Sequence, residues 1–174
     1  QNDDADFIPL IADENEDFSL DLKEDSVLPI LPLRNMVLFP GVVMPVTVGR
    51  SKSLKLIKDV HKKDGILGTI AQKDTKIEDP ETNDLFPIGT VAQIIRILEM
   101  PDNSTTVILQ GRQRFAIKEV ATTNPYIKAR IELLEDSLVP KSKDFKALMG
   151  AIKDMSLRMI KISSNMPQEI MFAI

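Results

Sequence analysis

The stretch Leu28 to Ser51, LPILPLRNMVLFPGVVMPVTVGRS, limits what this chain can fold into more than any other. Four of the eleven prolines fall between Pro29 and Pro45. Val42, Met44, Val46 and Val48 alternate with Val43, Pro45 and Thr47, which is the period-2 pattern of a half-buried strand. Proline has no N–H to donate to a ladder, so the strand holding Pro45 belongs at a sheet edge or carries a bulge. Pro40 presets φ and Gly41 tolerates positive φ, so Phe39-Pro40-Gly41 predicts a sharp reversal between two extended runs.

Composition narrows the function classes. Hydrophobic residues make up 43% of the 174, enough for a real core, while aromatic residues make up 5% with no Trp, so that core is aliphatic. The chain has no Cys, which excludes a disulfide framework, thiolate catalysis and a cysteine metal cluster. His61 is the only histidine, so no second histidine is present to share a metal, and no Ser/His/Asp set is expected. No run of about 20 apolar residues is present to span a membrane. No G-x-x-x-x-G-K-[ST] loop is present to cradle a nucleotide phosphate.

The net charge of −4 conceals a split. Residues 1–26 hold ten acids and one base, Lys23, for a net of −9. The rest holds sixteen acids and 21 bases, for a net of +5. Residues 1–27 are expected to form an acidic, disordered leader. Its spaced apolar residues, Phe7, Ile8, Leu10, Ile11, Phe18 and Leu20 among them, also suit a tail that docks on the basic body or on a partner.

Beyond Arg50, Leu54, Ile57 and Val60 recur at helical spacing with lysines on the other face. Ser51 or Ser53 is the expected cap, and Gly65 sits past the end. Ile66 to Gln72 predicts a strand in which Gly68 marks a bend or a close backbone approach. Lys73 to Pro87 reads as a polar loop. Its acids lack the spacing of an EF-hand, so a solvated loop is expected instead of a calcium site. Four more strands are predicted at Ile88–Met100, Thr105–Gln110, Phe115–Val120 and Tyr126–Leu134, with a turn at Pro101-Asp102-Asn103 and a break at Gly111. The stretch Val91 to Leu98 lacks clean alternation, which suits a small closed barrel carrying a bulge. After a linker at Asp136 to Lys141, Ser142 caps a helix to about Ser163. Leu148, Met149, Ile152, Met155 and Met159 form part of its apolar stripe. Pro167 fits the first position of another helix, whose apolar face is left incomplete, as in a helical subdomain cut short.

The string LPLRNMVLFPG, then PVTVGR, then Ser51 opening a helix, closely resembles the start of the N-terminal substrate-binding domain of ATP-dependent Lon proteases. IGTVAQI, VILQGRQRFAI and PYIKARI continue the resemblance in order. It implies an α+β fold: a PUA-like small β-barrel with one or two helices over residues 28–135, followed by the start of a helical bundle over 136–174. It implies a module that engages unfolded, damaged or degron-bearing proteins for the motor and protease domains of a bacterial, cytoplasmic and homohexameric parent. Those domains, with their ATP, Mg and Ser-Lys dyad, would lie outside this chain, which itself is expected to hold no cofactor or metal and to catalyse nothing. The alternative is an RNA-binding module, since PUA-like barrels also serve that role and the body is basic. For contact with substrate the candidates are Met36, Leu38, Phe39 and Met44 for apolar surface, and Arg34 for a substrate carboxylate.

Overall fold

The computed structural model describes residues 10–11, 22, 25–100, 104–135 and 142–162. The chain divides into two compact units, Gln1–Glu135 and Asp136–Ile174. In the first, the strands are β1 (Leu10–Ile11), β2 (Val27–Leu33), β3 (Val42–Val48), β4 (Ile66–Ala71), β5 (Ile88–Glu99), β6 (Thr105–Thr122) and β7 (Lys128–Leu133). Helix α1 (Ser51–His61) joins β3 to β4, and one 3-10 turn spans Thr82–Asp84.

The sheet order is β1-β3-β6-β5-β4-β2-β7, and β7 pairs back onto β6. Strands β6, β5, β4, β2 and β7 therefore form a closed ring of pairings, parallel only between β2 and β4. Strand β6 makes this possible by its length. One edge follows β5, while the other serves β3 through Thr105–Gln110 and β7 through Phe115–Thr122. Gly111 was expected to break this strand and does not. It sits where that edge passes from β3 to β7. A Cβ there would collide with the Phe39 carbonyl, so the glycine admits a crossing loop without ending the strand.

Two hydrophobic cores lie on opposite faces of the sheet. Leu31, Leu33, Val46, Val107 and Leu109 pack with α1 through Leu56, Ile57 and Val60. Leu28, Ile30, Ile70, Val91 and Ile131 surround Phe115, which is fully buried. Strand β2 feeds both, Ile30 to one side and Leu31 to the other, which is why its apolar run is nearly continuous. Gly68 provides a close approach: a Cβ there would stand 2.7 Å from Phe115 Cζ and 2.8 Å from Ile30 Cδ1. The pairing of β5 with β6 shifts register between Thr90 and Ala92, where the extra residue lies on β6, and between Ile94 and Arg96, where it lies on β5 and breaks the alternation of that strand. The second shift makes Ile95 that extra residue. Ala92 and Ile94 face the first core, and past the shift Ile97 joins them in place of Arg96.

Pro45 lies on a strand whose far edge, among the described residues, is paired at Val42 and Val43 by β1. Helix α1 starts where expected, but its N-cap is Arg50, with no side-chain cap. Within the leader, Leu10 and Ile11 form β1 and Leu22 packs against the second core. In the second unit, α2 (Lys143–Ile162) begins as the sequence predicts, with the Phe145 N–H donating to Ser142 Oγ at 3.1 Å. Its stripe residues Leu148, Ile152, Met155 and Met159 are exposed, and α2 is the one helix of the second unit among the described residues. The expected turn at 101–103, the linker at 136–141 and the helix from Pro167 lie outside the described residues.

Candidate functional site

Between β2 and β3 the chain crosses to β6 and returns at a tight turn. Gly41 takes φ +75°, and the Val42 N–H donates to the Phe39 carbonyl at 3.2 Å, closing the predicted Pro-Gly turn. Gly41 N–H donates to the Gly111 carbonyl at 3.0 Å, which ties the turn to β6. Thr90 Oγ1 donates to the Leu38 carbonyl at 2.6 Å, and Thr69 Oγ1 donates to the Thr90 carbonyl at 2.9 Å. The first bond fastens the crossing loop to β5, and the second ties β5 to β4 beneath it.

Fastened this way, the loop sends alternate side chains in opposite directions. Leu38 goes into the first core at 2% exposure. Val37 and Phe39 go outward at 52% and 60%. Facing them is the entry to β5, held by Phe86 N–H donating to the Ala71 carbonyl at 3.0 Å and Ile117 N–H donating to the Pro87 carbonyl at 3.2 Å. There Phe86 and Ile88 are about half exposed. The four side chains line a groove of about 490 Å³, floored in part by Thr69 and Gly89, with Arg114 on its wall. Four large apolar side chains left to water around one concavity are more than the scattered exposure of an ordinary surface.

The sequence candidates fall in different places. Phe39 lines the groove with its side chain out, whereas Leu38, 2% exposed, lines it from beneath as part of the first core. Met36 and Met44 are half-buried against the first core. Arg34 and Met36 line a separate depression with Pro45, Arg50 and Glu78. Arg34 is exposed, and its Nη2 donates to the Ile77 carbonyl at 3.3 Å. The same carbonyl accepts from Gln72 Nε2 at 2.6 Å and Arg50 Nη2 at 3.5 Å. Arg50 also donates to Gln72 Oε1 at 2.8 Å. Burial and then the neighbouring Arg34 charge lower the Arg50 pKa. Arg34 thus helps to hold the acidic loop against the body. Phe86, Pro87 and Ile88 were not among the sequence candidates. Their signal was an apolar pair, Leu85-Phe86, inside an acidic loop: Leu85 is buried, so its neighbour points the other way.

Among the described residues, no three acidic or histidine side chains are grouped to hold a metal ion, and no helix is long and apolar enough to cross a membrane.

Comparison with known proteins bears on the whole arrangement. The family model described as the ATP-dependent protease La (LON) substrate-binding domain matches residues 27–174. The chain is 51% identical to a Lon protease from Porphyromonas gingivalis over 168 residues, covering 92% of this chain and 20% of that protein. It is 44% identical to a Lon protease from Cytophaga hutchinsonii, covering 98% of this chain and 21% of that protein. The chain therefore spans about one fifth of the length of the curated relatives it matches. In fold, it resembles the crystal structure of a Lon N-terminal domain protein from Xanthomonas campestris, at TM-score 0.59 and 20% identity over 76% of this chain and 74% of that one. The N-terminal domain of a Mycobacterium avium complex Lon protease gives TM-score 0.60 at 20% identity over 78% and 68%. These likenesses favour the substrate-binding reading over the RNA-binding one: the chain belongs to the family of Lon protease substrate-binding domains.

Proposed function

We propose that the groove between the Phe39 turn and the entry to β5 captures apolar segments of unfolded or degron-bearing proteins. The observation that carries this is the convergence of Val37, Phe39, Phe86 and Ile88, all roughly half exposed, on one concavity. Such a surface grips side chains by burial, at about 25 cal/mol per Å² of apolar area, without asking for one sequence. The parent protein would be an ATP-dependent serine endopeptidase, homohexameric and cytoplasmic. Its ATP, Mg and catalytic dyad would reside in the four fifths of the relatives' length that this chain does not span. This chain would bind and hand over, and hydrolyse nothing. The test is a pair of variants, Phe39→Ala and Phe86→Ala, titrated with a fluorescent unfolded protein. Weakened binding by both, with their denaturant midpoints kept, is the expected result. Unchanged affinity in both would remove the groove from the contact surface.

A further inference from the structure

Helix α1 begins without a side-chain cap, and no acid stands in its first turn. Its first backbone bond runs from the Leu54 N–H to the Arg50 carbonyl at 2.9 Å, so the N–H groups of Ser51, Lys52 and Ser53 precede the helical ladder. They present the positive end of the helix dipole. Ser53 is 7% exposed, yet its hydroxyl has no hydrogen-bond partner among the described residues. Buried hydroxyls ordinarily find one. Ser53 and Arg50 line two depressions that share this wall. The one beside Tyr126 has a volume of about 470 Å³. The Arg50 guanidinium donates to Gln72 Oε1 and the Ile77 carbonyl, both neutral. The nearby acids leave its charge unpaired. Asp79 pairs with Lys52 at 2.5 Å, Glu81 accepts from the Asp84 N–H, and exposed Glu78 attracts Arg50 only at longer range.

We propose that the start of α1, with Arg50 and the Ser53 hydroxyl, is a binding site for a single carboxylate. The open N–H groups and the Ser53 O–H supply donors, and a helix start favours an anion. The planar guanidinium supplies the counter-charge in a fork that suits two carboxylate oxygens. One unpaired cation balances one negative charge. A phosphate dianion would meet Glu78, Asp79 and Glu81 with twice the repulsion, so the acids around the site select the carboxylate. Leu56 and Ile127 line the same depression and would take the carbon body behind the carboxylate, while Asn83 and Asn124 offer amides to a peptide group. A chain's C-terminus, an Asp or Glu side chain and a free small acid all carry this chemistry. Supplied by a protein, the carboxylate would add a second contact to the binding role above, but the site itself does not rest on that role.

The experiment titrates the 174-residue chain with N-acetylleucine and with N-acetylleucinamide, following the amide signals of Ser51, Lys52 and Ser53 by NMR. The acid should shift these signals saturably and the amide should leave them unmoved. Ser53→Ala should weaken the acid about tenfold, the scale of a hydrogen bond to a charged group, and should fold normally because that hydroxyl holds nothing in place. Arg50→Gln should weaken it at least as much. Equal response to acid and amide, unchanged affinity in Ser53→Ala, or tighter binding of inorganic phosphate would overturn the proposal. Two leucine-ended peptides then assign the source: one with a free C-terminus, the other amidated and carrying an internal Glu. The peptide that moves the same three amides identifies it, and movement by N-acetylleucine alone identifies a free acid. Phe39→Ala should leave all of these titrations unchanged. If they succeed while the chain fails to bind an unfolded protein, the groove loses its role and the carboxylate site stands.

Discussion

Leu38 and Phe39 are neighbours with opposite surroundings, 2% and 60% exposed. The difference sets what each truncation should change. Phe39→Ala removes little buried contact, so its melting midpoint should hold, while affinity for an unfolded protein should fall by about 1–3 kcal/mol, the range of an aromatic anchor. Phe115→Ala is the internal contrast. Its ring is fully buried in the second core, and its loss should cost about 3–5 kcal/mol of stability with affinity per folded molecule unchanged. Measuring denaturant midpoint and binding on the same two variants separates the roles, and a large midpoint loss in Phe39→Ala would return that residue to structure. Tyr126 allows a pH test. Burial, then its hydrogen bond to Asp59 Oδ2 at 3.2 Å, raises the hydroxyl pKa above its ordinary 10. A raised pKa favours the protonated, folded state. This stabilisation is complete below about pH 10 and is lost as pH rises through the folded value. Tyr126→Phe should therefore be less stable at neutral pH by about 1 kcal/mol, and its deficit should shrink in midpoints measured above pH 10.

Among elements, the loop from Arg34 to Gly41 is held by the Thr90 hydroxyl on the Leu38 carbonyl and by Gly111, whose carbonyl accepts from the Gly41 N–H. Thr90→Val keeps the shape but withdraws the donor from the buried Leu38 carbonyl, and should cost about 1–3 kcal/mol. Gly111→Ala should cost about as much by forcing a methyl group against the Phe39 carbonyl. Both should also weaken binding of unfolded protein, because both displace Phe39. A variant destabilised to that degree with unaltered affinity would show that the groove does not depend on this fastening. The elements themselves were largely legible in the residues. Period-2 alternation marked β3, helical spacing marked α1 and α2, and Pro40-Gly41 marked the turn, because each signal is local. What escaped was set by distant partners. Gly111 reads as a breaker in isolation, and only the approach of Phe39, far away in sequence, shows why β6 continues through it. Half of the groove was legible for the same reason. Phe39 stands beside a strong turn signal. Phe86 and Ile88 become its neighbours only when β5 is seated beside the loop, and the separation of Leu38 from Phe39 needs the direction in which Thr90 pulls that backbone.

At the scale of the whole molecule, two forces could bring a partner to this chain, and salt distinguishes them. The segment after the leader carries +5, a bias that would attract a polyanion such as RNA. The groove offers apolar surface instead, and its capture of a chain depends on area removed from water. Phosphate-driven binding releases counterions. A surface neutralising six to ten phosphates loses roughly a thousandfold or more between about 50 and 200 mM salt. Burial of apolar side chains has no such dependence, and added salt screens only the charges around it, over about 8 Å at 0.15 M. Affinity for an uncharged, apolar unfolded peptide should therefore change by less than about threefold across that range, and Phe39→Ala should weaken it equally at both ends. Steep loss of affinity with salt, insensitive to Phe39→Ala, would place binding on the basic surface and leave the groove without a role. Flat salt dependence with a constant loss at Phe39 would locate capture at the four exposed side chains around the Pro40-Gly41 turn and the entry to β5.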